Sequence, residues 1–320
     1  MHHPLLSVED LSISFISDKK SLKTVDGVSF KVDSEDFFAI VGESGSGKTL
    51  TALSIMKLLP PNAASSGRIV FNGDDIFMKS DEDLRRMRGR DISMVFQEPM
   101  TSLNPVFTIG FQIAEVLLNH LDITKKEAMD RTVELLKSVK IPSPELRIKD
   151  YPHQMSGGMR QRVMIAMAIA CNPSLIIADE PTTALDVTIQ AQILELLGGL
   201  KENNKMSLFF ITHDLGIVAE WARRVEVMYA GRIVEKASVN EIFLNSRHPY
   251  TRGLLESLPK RKGEKLISVP GQVPRLNELP AGCKFAPRCR YVIPACWEKE
   301  PELIPVNDGH FSRCIRAMEI

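Results

Sequence analysis

The residues best suited to chemistry are the consecutive eight Gly42-Glu43-Ser44-Gly45-Ser46-Gly47-Lys48-Thr49, which follow the spacing of a phosphate-binding loop: Gly, four residues, then Gly-Lys-Ser/Thr. Glycines let the backbone come close to an anion, successive N–H groups form a nest, and a helix opening near Lys48 aims its positive end at the same point. Gly42, Ser44, Gly45, Ser46, Gly47 and Lys48 are therefore candidate phosphate ligands, with Lys48 reaching the β- and γ-phosphates and the Thr49 hydroxyl coordinating Mg²⁺. A second pair, Asp179-Glu180, closes the apolar run Leu175 to Ala178. At the carboxyl end of a strand one carboxylate can hold the water shell of a metal, while its neighbour points elsewhere and polarises an attacking water. Read alone, the loop also fits a chance glycine-rich turn and the acidic pair a solvated strand end. The flanking strand and helix favour the phosphate reading.

These side chains need a scaffold. Phe37 to Val41 is continuously apolar, as in a strand covered on both faces, and predicts a strand–loop–helix unit whose helix runs to Pro60-Pro61. Leu175 to Ala178 and Leu208 to Ile211 predict two more buried strands, separated by the amphipathic stretch Thr188 to Leu200, so the expected class is α/β with a parallel, doubly wound sheet. From Leu5 to Val32, alternating runs such as Leu11-Ser12-Ile13-Ser14-Phe15 predict half-buried antiparallel strands. Patterns such as Lys125 to Val139 predict a helical subdomain over about 101–160, and Val225 to Glu235, turning at Gly231-Arg232, predicts a closing hairpin. Beyond about Asn245 the composition shifts to proline, basic residues and cysteine, which predicts an appended module.

Composition removes several function classes. Forty basic residues balance forty acidic ones over 320 positions, so no global field recruits nucleic acid or anionic lipid. With 44% hydrophobic and 25% charged residues the chain is expected to fold rather than remain disordered. Its longest apolar run, Val163 to Cys171, stops at Asn172-Pro173, short of the roughly 20 residues a membrane span needs. Met1-His2-His3-Pro4 lacks the pattern of a secretory signal, so a cytosolic protein with a peripheral membrane role is expected. Five cysteines are too few for a disulfide scaffold, and all but Cys171 fall after residue 282.

Met155-Ser156-Gly157-Gly158-Met159-Arg160-Gln161 resembles the signature of the ATP-binding cassette (ABC) ATPases, although Met155 and Met159 replace the usual Leu and Gln. Gln97, after Ile92 to Phe96, matches the family's Q-loop; Ala184-Leu185-Asp186 matches the D-loop; His213, after Ile211-Thr212, matches the switch histidine. Alone, Gln97 and His213 would read as polar residues at strand ends and Ser156 as a helix N-cap. Six motifs in family order, from about Phe15 to Glu235, carry the resemblance. It implies an ABC nucleotide-binding domain over 1–245 with an antiparallel β-subdomain, using ATP and Mg²⁺. It further implies Thr49, Gln97 and Asp179 around the metal, Glu180, His213 and Gln97 as the catalytic set, and Phe15 stacked on adenine, where a core aromatic is the competing reading. Two ATPases would sandwich two nucleotides head to tail, with Ser156, Gly157 and Gly158 facing the γ-phosphate held by the opposing subunit.

The stretches Glu98 to Pro105, Gly157 to Ala168 and Glu180 to Thr188 are similar to those of oligopeptide and dipeptide importers, specifically the D-type ATPase subunit. That resemblance implies import of di- or oligopeptides, an F-type ATPase as heterodimer partner, two transmembrane permease subunits, indirect cooperation with an extracytoplasmic substrate-binding protein, and a place on the cytoplasmic face of the membrane. A nickel or other solute importer is the alternative within transport. A soluble ABC ATPase acting on nucleic acid is the alternative outside it, opposed by the neutral charge balance and the absence of long heptads, so no nucleic-acid partner is expected. Arg247-His248-Pro249-Tyr250-Thr251 opens a C-terminal extension, 246–320, typical of this branch. Within it Cys283, Cys289, Cys296 and Cys314, spaced by five, six and seventeen residues, suggest a metal site for zinc or an iron–sulfur cluster, with free thiols a third reading. With Pro287-Arg288 and Pro301, the set resembles the cysteine motif of dipeptide-type ATPases, some of which hold a [4Fe–4S] cluster, so the cluster is expected over zinc. Cys171 is expected inside the apolar helix as a small hydrophobe.

Overall fold

The structure, a computed structural model, describes residues 4–17, 20–98, 102–183, 185–258 and 269–320; Met1-His2-His3, Pro99-Met100-Thr101 and Ala184 of the motifs above lie outside the described residues. The alternating N-terminal segment forms β1 (Leu6–Ser17) and β2 (Lys20–Val32), and the continuous apolar run forms β3 (Phe37–Val41), followed by the helix Lys48–Ile55, β4 (Ala63–Phe71) and the short β5 (Asp74–Asp75). β6 (Ile92–Val95), β7 (Leu175–Asp179) and β8 (Ser207–Thr212) come next, with helices between them. The chain then forms β9 (Arg224–Tyr229), β10 (Arg232–Ser238), β11 (Ile304–Asn307) and β12 (His310–Ser312).

The chain divides into two compact units, one made of Met1–Asp33, Phe37–Phe77 and Ile211–Ile320, the other of Ser34–Asp36 and Met78–Phe210. In the first, β2, β1, β4 and β5 form an antiparallel sheet in that order. A further set runs β11, β12, β10, β9, β3, with β3 parallel to β9 and the other pairs antiparallel. Ala39, Val41, Val225, Val227, Tyr229 and Val234 build its core together with Tyr250 and Phe285, so residues of the extension are integral to the packing. The β9–β10 hairpin turns on Ala230-Gly231, one residue before the expected Gly231-Arg232, because Arg232 already pairs with Tyr229; both turn residues have positive φ (44° and 83°), as a two-residue turn matching strand twist requires.

The helix after the loop stops at Ile55, before Pro60. Lys57 takes φ 49°, its N–H bonds the Ser54 carbonyl and the Leu58 N–H bonds the Leu53 carbonyl, a left-handed terminus that needs no proline. In the second unit, which contains β8 as far as Phe210, β8, β7 and β6 are neighbours in that order, with β6 parallel to β7. The helical stretch contains Ile109–His120, capped by Thr108, and Lys125–Ser138, opened by a Thr124/Glu127 capping box. Leu117, Ala128 and Ala170 pack the helices together. Among the described residues no helix is long and apolar enough to cross a membrane.

Candidate functional site

β3 delivers the loop 42–49 directly to the helix Lys48–Ile55. A Cβ on Gly42 would lie 2.2 Å from the main-chain oxygen of Met228 in β9, so only glycine fits there. Gly47 is the helix N-cap at φ 106° and offers no side chain to the first-turn N–H groups, which suits an external acceptor. Ser46 is buried and its Oγ has no hydrogen-bond partner among the described residues, an orphaned hydroxyl in the loop that a phosphate oxygen would satisfy. Lys48, 4% exposed, folds back over the loop, its Nζ donating to the carbonyls of Gly42 (2.7 Å) and Glu43 (3.1 Å). Ser44, Gly45 and Thr49 are exposed.

Three contacts from later in the chain fix this loop. The Gly231 N–H donates to the Ser46 carbonyl at 2.9 Å, the Glu43 N–H donates to Tyr250 Oη at 2.8 Å, and Arg288 Nη1 and Nη2 donate to the Glu43 carboxylate at 2.6 and 2.9 Å. His213 follows β8 and is exposed, while Asp214 caps the next helix, Leu215–Trp221. Phe15 is half-buried in β1, opposite Leu22 on one side and Ala63 on the other.

In the second unit the parallel register pairs Val95 of β6 with Ala178 of β7. Gln97 and Glu180, each two residues further on, meet beyond the strand ends: Gln97 Nε2 donates to Glu180 Oε2 at 3.2 Å. Thr183 Oγ1, which the sequence did not single out, donates to the same oxygen at 3.0 Å. Glu180 has φ 45°, a left-handed conformation unusual for a residue with a long side chain and typical of positions whose surroundings impose it. Asp179 beside it is 2% exposed. Two donors on one oxygen orient a carboxylate, as a group that aligns water requires.

Ser156 caps the helix Gly157–Ile169, its Oγ accepting from the Met159 N–H at 3.3 Å, and both Ser156 and Gly157 are exposed. A Cβ on Gly158 would come within 2.9 Å of Ile189, in the helix Val187–Asn204 that Asp186 caps. Cys171 is not in the apolar helix. That helix ends at Ile169, and the left-handed Asn172 and Pro173 turn the chain away, leaving Cys171 half-buried in the turn.

Cys283, Cys289, Cys296 and Cys314 all line one small cavity, with His248, Phe285 and Tyr291. They are free thiols, and burial pushes Cys283 up to about 11 and Cys314 up to about 12. Among the described residues no group of three or more His, Cys, Asp and Glu side chains is placed to hold a metal ion.

A glycine loop between strand and helix, an Asp-Glu pair ending a parallel strand and a Ser-Gly-Gly helix start define a nucleotide-hydrolysing cassette. The chain belongs to the ABC transporter family: the "ABC transporter" family model matches residues 25–183, and "Oligopeptide/dipeptide transporter, C-terminal region" matches 234–296. It is an ABC ATPase. It is 51% identical to the oligopeptide transport ATP-binding protein AppD of Bacillus subtilis, over 97% of this chain and 96% of that one. To the dipeptide transport ATP-binding protein DppD of Haemophilus influenzae it is 52% identical, over 93% and 92%. Among solved structures it is similar to the dimeric ATP-binding cassette MJ0796 bound to ADP and Pi, with a TM-score of 0.66 and 26% identity over 73% of this chain and 98% of that one.

Proposed function

We propose that this chain hydrolyses ATP to drive import of di- or oligopeptides through a membrane permease. The observation that carries the hydrolytic part is the Glu180 carboxylate, oriented by Gln97 and Thr183 on a main chain already held at φ 45°. Such a carboxylate aligns water for in-line attack on the γ-phosphate, with Gln97 and His213 completing the catalytic set. The match to the C-terminal region and relatives whose names describe oligopeptide and dipeptide transport support the cargo class.

In this reading Gly42, Ser44, Gly45, Ser46, Gly47 and Lys48 hold the phosphates, and Lys48 offsets the charge that develops on them. Phe15 stacks on adenine. Ser156, Gly157 and Gly158 face the γ-phosphate of a nucleotide on an opposing, F-type ATPase. Mg²⁺ supplies neutralisation of phosphate charge when bound, and the oxygen donors of Thr49, Gln97 and Asp179 suit that hard cation. Residues 1–245 form the ATPase domain and 246–320 the extension; that there are two regions is supported by the two separate matches, 25–183 and 234–296, the second of which opens ahead of residue 246. Two permease subunits anchor the pair at the cytoplasmic face, a binding protein outside delivers cargo, and no nucleic acid takes part. The shared cavity and all-sulfur donor set support Cys283, Cys289, Cys296 and Cys314 as ligands of a [4Fe–4S] cluster, with zinc the alternative. Iron and zinc analysis of the purified chain, with its visible spectrum, tests that assignment.

The test of the hydrolytic reading is Glu180→Gln in the assembled heterodimer, with the partner's own site disabled. ATP binding is expected to persist and turnover to vanish, and continued hydrolysis would overturn the role of Glu180.

A further inference from the structure

We propose that Arg288 and Tyr250, carried by the C-terminal region, are positioning residues of the phosphate loop, and that Arg288 serves to cancel a negative charge the loop itself contains. The proposal rests on the reading of residues 42–49 as the phosphate site. An anion-binding loop is an unfavourable place for a carboxylate, because like charges repel through a poorly screened protein boundary. Glu43 nevertheless stands second in the loop.

The structure resolves this conflict at each polar group of Glu43. Its carboxylate receives two parallel bonds from Arg288, 2.6 and 2.9 Å; its N–H donates to Tyr250 Oη, 2.8 Å; its carbonyl accepts from Lys48 Nζ, 3.1 Å. The fork geometry of guanidinium matches a carboxylate in a way no lysine can. Arg288 is itself immobilised. Its side chain is 4% exposed, Nε donates to the Pro270 carbonyl at 2.8 Å, Nη2 also reaches the Gly271 carbonyl at 3.3 Å, and the guanidinium lies 5.8 and 5.9 Å from the ring centres of Tyr229 and Phe285. Tyr250 is fully buried against those same two rings. The extension thus presents a rigid, permanently charged socket, and Glu43 plugs the loop into it. Substrate phosphates then meet a loop whose acidic residue is neutralised and whose second residue is held by main chain and side chain together.

The charge argument makes a prediction that a purely structural bond does not. Arg288→Met in the full-length chain leaves Glu43 negative beside the phosphates and should weaken ATP binding about tenfold or more. Removing that charge as well, in Arg288→Met/Glu43→Gln, should restore affinity to within about threefold of the starting protein. Arg288→Lys, which keeps the charge and gives up the fork, should fall between the two and stands in if the methionine variant does not fold. Nucleotide titrations at low and high salt read these effects, with the Arg288→Met loss shrinking as salt rises. Unchanged affinity in Arg288→Met, failure of Glu43→Gln to rescue it, or an Arg288→Lys loss independent of salt and no smaller than that of Arg288→Met would each overturn the proposal. Lys48→Ala is the separate control: if it retains full affinity, the phosphate-site reading itself fails.

Discussion

Replacing Gly42 by alanine tests how the loop is built. The added methyl would sit 2.2 Å from the Met228 carbonyl oxygen and 3.0 Å from Ser46 Oγ. An ordinary carbon–oxygen contact is about 3.2 Å, so loop or strand must retreat by about 1 Å, and the opposing atom is main chain of a sheet strand with no soft side chain to yield. Overpacking of this kind costs about 2–3 kcal/mol, which in a chain of this size lowers the melting temperature by about 4–10 °C. Gly45→Ala is the internal comparison. Its methyl meets no atom of the described residues within 4 Å, but its φ of 78° belongs to glycine, a conformational cost of about 1–2 kcal/mol. Thermal unfolding by circular dichroism ranks the pair, and a nucleotide titration follows the displacement: Gly42→Ala should lose affinity because the loop has moved, on top of the larger drop in stability. If Gly42→Ala melts within about 1 °C of the parent and binds nucleotide normally, or if Gly45→Ala is the more damaging change, the steric account of this loop is wrong.

Other outcomes follow from groups held in unusual states. Glu226 is buried, its Oε2 has no hydrogen-bond partner among the described residues, and burial pushes its carboxyl from 4.5 up to about 8. Between those values the folded chain keeps a proton the unfolded chain has released, so stability falls as pH rises through that window, and Glu226→Gln should flatten the fall; identical pH profiles for the two proteins would contradict this. His248 caps the helix Pro249–Glu256 through Nδ1 and is lowered by burial from 6.5 to about 4. The unfolded chain takes up its proton first, so stability is lost as pH drops from 6.5 toward 4, and His248→Asn, which keeps a capping oxygen, should soften that acid loss in urea titrations run across the range. Ser156→Ala removes one cap bond, a cost of about 1 kcal/mol. Turnover by the assembled ATPase pair should drop far more than that stability loss explains, and equal small effects on both would reduce Ser156 to a helix cap.

Much of this organisation is legible in local pattern. The run Phe37 to Val41, the glycine loop, the Ser156 cap and the β9–β10 hairpin each declare themselves within a dozen residues, because strand burial, turn chemistry and capping act over that range. Gln97 and Glu180 were each visible as strand-end residues, but their meeting depends on a register between β6 and β7 that sequence order does not print. The left-handed φ of Glu180 and Lys57 was hidden for another reason: neither residue type advertises it, and tertiary contacts or helix-terminal bonds impose it. Arg288 and Glu43 stand 245 positions apart, and each reads as an ordinary surface charge until the fold sets one against the other. Cys171 lies outside the helix because the apolar run continues two residues past the last helical one: Asn172-Pro173 mark a stop, but apolar character does not show that the helix ends at Ile169, ahead of them.

The small hairpin at the end of the chain has a practical consequence. β12 lies along β10, pairing Glu235 with Ser312 and Lys236 with Phe311, while the Arg313 N–H reaches the Val234 carbonyl at 2.7 Å. A protein shortened after Asn245 would leave that flank of β10 bare, an open row of amides and carbonyls of the kind that recruits foreign strands. What looks like a detachable tail is a seal, and trimming it to obtain a minimal cassette should yield sticky material in place of a smaller soluble enzyme.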